Sequence, residues 1–239
     1  MAQLAVSSGG MFANSRGVAR CVWWISCIQH DFAVGESNRM IELFSGTPGS
    51  GKSLDVARVI YRRLKVGKPV VANFRINTDL VKSKRKKFMY IDNSDLTPAV
   101  LERISRRYFT GRTIREDEIL VVIDEAQLLF NARDWGQSGR KEWLSFFTQH
   151  RKLGIKVLLV AQFDRMLDRQ IRSVIEYEYI HRKMSNFGIK GQIASLICGG
   201  GLMICVKVWY PLHEVVDREF YKARKRYFKI YDTYNTFGA

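Results

Sequence analysis

The sequence predicts an α/β domain with a mostly parallel, doubly wound sheet. Three observations predict it. From Met40 onward, short apolar strands alternate with helical stretches, the rhythm of parallel strands joined by helical crossovers. A glycine-rich loop, Gly46–Ser53, falls between the first strand and the first helix. Ile119–Ile123 is a run of consecutive aliphatics, as expected of a strand covered on both faces.

The elements follow in order. Ile41–Ser45 is a short apolar strand. Beyond the loop, Ser53–Leu64 carries Leu54, Ala57, Ile60, Tyr61 and Leu64 on one helical stripe, and Gly67 stops it. Val70–Phe74 and Phe88–Ile91 are the next strands, followed by a helix at Pro98–Arg107, the strand Ile119–Ile123 and a helix at Lys141–His150. Ile155–Val160 is a buried strand and Arg169–Glu176 a short helix. Tyr177–His181 and Leu202–Tyr210 are strands, the last in a β-rich end. Residues 1–39 lack sustained periodicity and read as a poorly ordered extension, or as an upstream start with Met40 the older one. The domain is then residues 40–239.

Two apolar stretches invite a membrane reading. Cys21–Ile28 is too short to span and lacks a convincing cleavage site. Ile193–Val206 is broken by Gly199, Gly200 and Gly201 and falls short of the roughly 20 residues a spanning helix needs. It reads as a turn feeding a buried strand, and no transmembrane helix is identified.

Composition sets the partners. Hydrophobic residues make up 46% of 239, enough for a sizeable core, which excludes global disorder. The 39 basic and 23 acidic side chains give a formal charge of +16, which favours nucleic acid, anionic headgroups or an acidic protein without choosing among them. Lys82–Lys87 and Lys222–Arg226, the latter flanked by Tyr221 and Tyr227, are the densest positive runs, suited to phosphates or to solvent. Cys21, Cys27, Cys198 and Cys205 form no Cys-x-x-Cys pair and indicate a reducing compartment. His30, His150, His181 and His213 show no metal-ligand spacing, so no zinc is inferred.

Gly46-Thr47-Pro48-Gly49-Ser50-Gly51-Lys52-Ser53 fits the P-loop (Walker A) pattern in full, with a strand before it and a helix after it. Glycines let backbone N–H groups turn toward phosphates, and the helix N-terminus adds partial positive charge. Lys52 is the expected contact to the β- and γ-phosphates and Ser53 the Mg²⁺ ligand. Ile119–Ile123 runs into Asp124-Glu125, a Walker B pattern. Asp124 is expected in the Mg²⁺ shell and Glu125 as the general base toward water, which favours hydrolysis over transfer to a second substrate. Gln162, after the strand Ile155–Val160, is placed to read the γ-phosphate. Arg151 is the leading arginine to reach a neighbouring copy's nucleotide, and Arg172 the second.

Taken in series, Phe44–Ser53, Val71-Ala72-Asn73-Phe74, Ile123–Gln127, Gln149–Gly154, Ala161-Gln162 and Ile230–Thr233 with Tyr234 resemble the Zot (zonula occludens toxin) family over roughly residues 40–239. That family includes the assembly protein of filamentous phages. The resemblance implies an ATP-binding domain of the RecA/FtsK–HerA branch, at the cytoplasmic face of the host inner membrane. It implies a homo-oligomer, with a hexamer as the ring size, working with phage single-stranded DNA or its binding protein and with membrane assembly partners. The implied function is to power virion assembly and export. Many members continue into a transmembrane helix and tail, whereas this sequence stops where the domain stops. Two alternatives stay open: a DNA-translocating ATPase of packaging or conjugation, and a nucleotide-gated adaptor that does not hydrolyse.

Overall fold

The computed structural model describes residues 41–83, 86–131, 137–197 and 200–231. The extension read over residues 1–39 lies outside them. The strands are β1 (Ile41–Ser45), β2 (Val70–Ala72), β3 (Phe88–Tyr90), β4 (Ile119–Ile123), β5 (Ile155–Val160), β6 (Tyr177–Lys183), β7 (Leu202–Trp209) and β8 (Glu214–Lys222). The helices are α1 (Lys52–Lys65), α2 (Pro98–Phe109), α3 (Gln137–Gln149), α4 (Arg169–Arg172), α5 (Gly188–Ile197) and α6 (Lys225–Ile230). All eight strands form one sheet in the order β3-β2-β4-β5-β1-β6-β7-β8. Pairing is parallel from β3 through β6, and β7 and β8 close one side antiparallel.

Strand periodicity divides the apolar residues between two cores. In β4, Ile119, Val121 and Ile123 pack with Leu101, Trp143 and Phe147 from α2 and α3. Leu120 and Val122 point the other way, to Ile60 and Leu64 of α1 and Ile230 of α6. Alternate side chains leave opposite faces of a strand, so a strand apolar at every position is buried only when both faces are covered. Local signals fix the helix ends. Gly67, at φ 78°, closes α1 with its N–H on Leu64 O, and Lys68 N–H reaches Arg63 O, a Schellman-type end. Thr97 caps α2, accepting from Val100 N–H, and Pro98 occupies the first turn, where no N–H is needed.

The predicted class holds: the sheet is mostly parallel with helices alternating along it. Several details differ. Val70–Phe74 is strand only to Ala72, because Asn73 turns to bind the next strand's exit. The helix read at Lys141–His150 begins at Gln137. Ile193–Val206 does end in a buried strand, β7 from Leu202, but its first residues belong to α5, whose Ile193, Leu196 and Ile197 are exposed at 53%, 79% and 70%. Strand β8 and helix α6 are absent from the sequence reading. β8 is an edge strand with Val215 and Val216 both exposed, so it shows no apolar alternation to read. Among the described residues no helix is long and apolar enough to cross a membrane.

Candidate nucleotide-binding site

Parallel strands end at one sheet edge, and β4, β5 and β1 are neighbours. The residues just beyond each strand therefore lie in one row: Asp124-Glu125 after β4, Gln162 after β5 and Gly46–Ser53 after β1. This is the edge where open α/β sheets bind ligands. Gly46 N–H donates to Gln162 O at 3.1 Å, so loop and β5 exit touch directly.

The glycines are there for space as well as conformation. Gly46 has φ 137°, and a β-carbon on it would overlap the His181 carbonyl oxygen on β6. Gly51, at φ 98°, precedes α1 and packs against Met203 and the Tyr221 hydroxyl. A side chain at either position would push the loop off the strands behind it. Inside the loop the Ser50 hydroxyl is buried with no hydrogen-bond partner among the described atoms, an exception in a folded interior. Lys52 Nζ folds over the loop, donating to Gly46 O and to Thr47 O at 3.2 Å. Burial lowers its pKa from the ordinary lysine value, against the opposing pull of Glu125 and Asp124. Lysine and both carboxylates thus share one electrostatic site.

Asp124 is held by an asparagine on the adjacent strand exit. Asn73 Oδ1 accepts from Asp124 N–H at 2.7 Å, and Asn73 Nδ2 donates to Asp124 O and to Asn93 Oδ1, each at 2.8 Å. One carboxylate oxygen accepts from Glu125 N–H at 2.9 Å, and the other accepts from the Tyr231 hydroxyl. Burial raises the Asp124 carboxyl above the ordinary aspartate value, and these two hydrogen bonds offset it only in part. A nearby cation would favour the ionised form. Ser53 and Asp124 offer a hydroxyl and a carboxylate, hard oxygen donors suited to Mg²⁺, and the loop's glycine cradle and unsatisfied Ser50 hydroxyl suit a phosphate. The residues therefore fit a magnesium–nucleotide pair. Glu125 adopts a left-handed backbone (φ 48°, ψ 47°), uncommon for a residue with a side chain and of the kind found where function dictates geometry. Gln127 Nε2 donates to its carboxylate.

Asn73→Ala should therefore cost roughly 1–3 kcal/mol, because it strips partners from the Asp124 backbone. A lower urea midpoint at unchanged slope is the expected reading; an unchanged midpoint would show that the clamp is dispensable.

The arginines do not join the site within one chain. Arg151 sits just before β5, at the opposite end of the strands from the loop, and pairs with Glu116 at 3.4 Å, both exposed. Arg172, on α4, lies 3.9 Å from Asp164. Of the basic runs, Lys84 and Arg85 lie outside the described residues, and Lys86 reaches Asp79 at 3.5 Å. Tyr221 and Tyr227 are buried in the core, so they are not free to stack on bases.

A buried polar network behind the loop escaped sequence reasoning. His181 on β6 contacts Asp55 of α1 at 3.0 Å and Ser45 O at 3.2 Å; Arg58 pairs with Asp55 at 2.7 Å and with Glu219 of β8 at 2.5 Å. Cys205 stands beside them, giving a Cys/His/Asp group within 4.8 Å. The Arg58 guanidinium already supplies the positive charge, and burial pushes the Cys205 thiol up, leaving it a poor metal ligand. Burial alone would raise the Asp55 carboxyl, but Arg58 and His181 outweigh it and hold it below the ordinary value. The network ties α1 to β6 and β8 and so fixes the helix that carries Lys52 and Ser53.

The family model described as zonular occludens toxin (Zot) matches residues 40–237. The Gene 1 protein of Enterobacteria phage I2-2 is 27% identical over a 215-residue alignment that covers 83% of this chain and 58% of the phage protein. The chain thus spans little more than half that relative's length. The N-terminal domain of zonular occludens toxin from Neisseria meningitidis matches with a TM-score of 0.51 at 18% identity, covering 81% of this chain and 100% of that one. A second solved structure, an ATPase domain, matches with a TM-score of 0.55 at 11% identity, covering 90% of this chain and 98% of that one. At these identities the two solved structures share the fold.

Proposed function

This chain belongs to the zonular occludens toxin family, and from that membership and its site geometry we propose that it is an Mg²⁺-dependent ATPase domain that powers filamentous-phage or prophage virion assembly and export. One observation carries the catalytic part: a complete P-loop and the Asp124-Glu125 pair follow parallel strands at a single sheet edge, on either side of β5. The loop's N–H groups and the start of α1 receive the phosphates. Lys52 exchanges the carbonyls of Gly46 and Thr47 for phosphate oxygens, a stronger, charge-assisted partner. Ser53 and Asp124 hold Mg²⁺, which when bound neutralises charge on the β- and γ-phosphates. Glu125 takes the proton from the attacking water, and Gln162, in the row between loop and acids, contacts the γ-phosphate.

The position of Arg151 supports a shared site. Within one chain it lies at the far edge of the sheet, so the nucleotide it would serve is a neighbouring copy's, as in a homo-oligomeric ring of hexamer type. Phage single-stranded DNA or its binding protein is the partner that the net charge of +16 suits, with membrane assembly partners at the cytoplasmic face of the host inner membrane.

Two measurements test this reading. Turnover per subunit should rise with protein concentration as copies associate, and should rise again with single-stranded DNA. Arg151→Ala should keep nucleotide affinity within about twofold yet lose about 10-fold or more in turnover. Flat specific activity across the monomer-to-oligomer range would count against the shared site. Normal turnover of Arg151→Ala would move the finger to Arg172.

A further inference from the structure

Tyr231 is the last described residue, and its side chain reaches back into the centre of the site. The hydroxyl donates to Asp124 Oδ2, with the Ser53 side chain a polar neighbour of the phenol. Ser53 and Asp124 are the two residues fitted to hold Mg²⁺. The other Asp124 oxygen accepts from Glu125 N–H, so Tyr231 engages the carboxylate oxygen that the backbone leaves open. Mg²⁺ sits about 2.0–2.1 Å from its ligands, so a cation bound directly to Asp124 Oδ2 takes up space the phenol oxygen fills. Phenol and a directly bound cation cannot both hold that side of Asp124.

The ring ties this contact to the end of the domain. It packs on Phe74 with centroids 4.8 Å apart, and Tyr231 bridges Ile76 beyond β2. Upstream, Ile230 is fully buried and its carbonyl accepts from Asn77 N–H at 3.0 Å, while Tyr231 N–H reaches Tyr227 O at 3.3 Å. Movement of the phenol is therefore felt at the C-terminal end of α6.

We infer that Tyr231 is a further residue of the nucleotide site: its hydroxyl competes with Mg²⁺ for Asp124, so that binding of the metal–nucleotide releases Tyr231 from the site. This rests on the ATPase reading above. Two ligands linked through one element act reciprocally: whatever the cation gains by displacing the phenol, docking of the C-terminal end takes from cation affinity.

The test compares the full chain with Tyr231→Phe, which keeps the ring against Phe74. Binding of a fluorescent, non-hydrolysable ATP analogue is measured with Mg²⁺ and with EDTA, and amide exchange at residues 226–231 of the parent is followed under both conditions. Tyr231→Phe should tighten Mg²⁺-dependent binding roughly 3- to 30-fold, the worth of one competing hydrogen bond, and leave binding in EDTA unchanged. Exchange at residues 226–231 should quicken when the Mg²⁺-bound analogue is added. Weaker or unchanged Mg²⁺-dependent binding by the variant overturns the competition, weaker binding meaning that the phenol positions Asp124. Exchange that does not respond to the Mg²⁺-bound analogue overturns the release. A parent chain that binds no analogue at all refutes the ATPase reading itself, a result distinct from the other two.

Discussion

Lys52→Ala should reduce affinity for ATP by about 100-fold or more, the largest binding defect any single change in this site is expected to give. In the structure the ammonium lies over the loop, bonded to Gly46 and Thr47 carbonyls, with both acids drawing on it. Alanine removes the only cationic side chain the loop contributes, and leaves Asp124 and Glu125 facing incoming phosphates without compensation. The fold should survive, because Lys52 is half-exposed and belongs to neither apolar core. Binding of labelled ATP beside a thermal melt checks both halves. Affinity within a few-fold of the parent would show that phosphates do not bind at this loop.

Much of this site was legible because its chemistry is local. The loop and the acidic pair are contiguous motifs, and their strands carry uninterrupted apolar runs, so motif and element support each other. The remainder depends on which strands become neighbours. Asn73 can clamp Asp124 only because β2 lies beside β4, and no spacing along the chain reveals that. The Asp55–His181–Arg58–Glu219 network spans β6, β8 and α1. The same holds for Arg151: sequence places it after the acidic strand, but only the register shows it at the far edge. α5 misleads for the opposite reason. Its aliphatics look like core but are exposed, so hydrophobicity along the chain is no guide to burial there.

Glu125→Gln should bind ATP within a few-fold of the parent yet hydrolyse it about 10²–10⁴-fold more slowly. The proposed metal ligands Ser53 and Asp124 are untouched, and glutamine keeps an acceptor for Gln127 Nε2, so the left-handed turn at Glu125 should persist. What is lost is the carboxylate proposed to take the proton from water. A variant that lost binding as well would assign Glu125 to the architecture of the site rather than to its chemistry.

The most direct measurement is phosphate release from Mg²⁺-ATP by the purified chain, with parent and Glu125→Gln assayed side by side at a protein concentration where copies associate. The parent should release phosphate steadily and the variant should fall to near background while still retaining bound ATP. Equal release from the two, or none from a parent shown to bind ATP, would contradict hydrolysis at the Asp124-Glu125 edge.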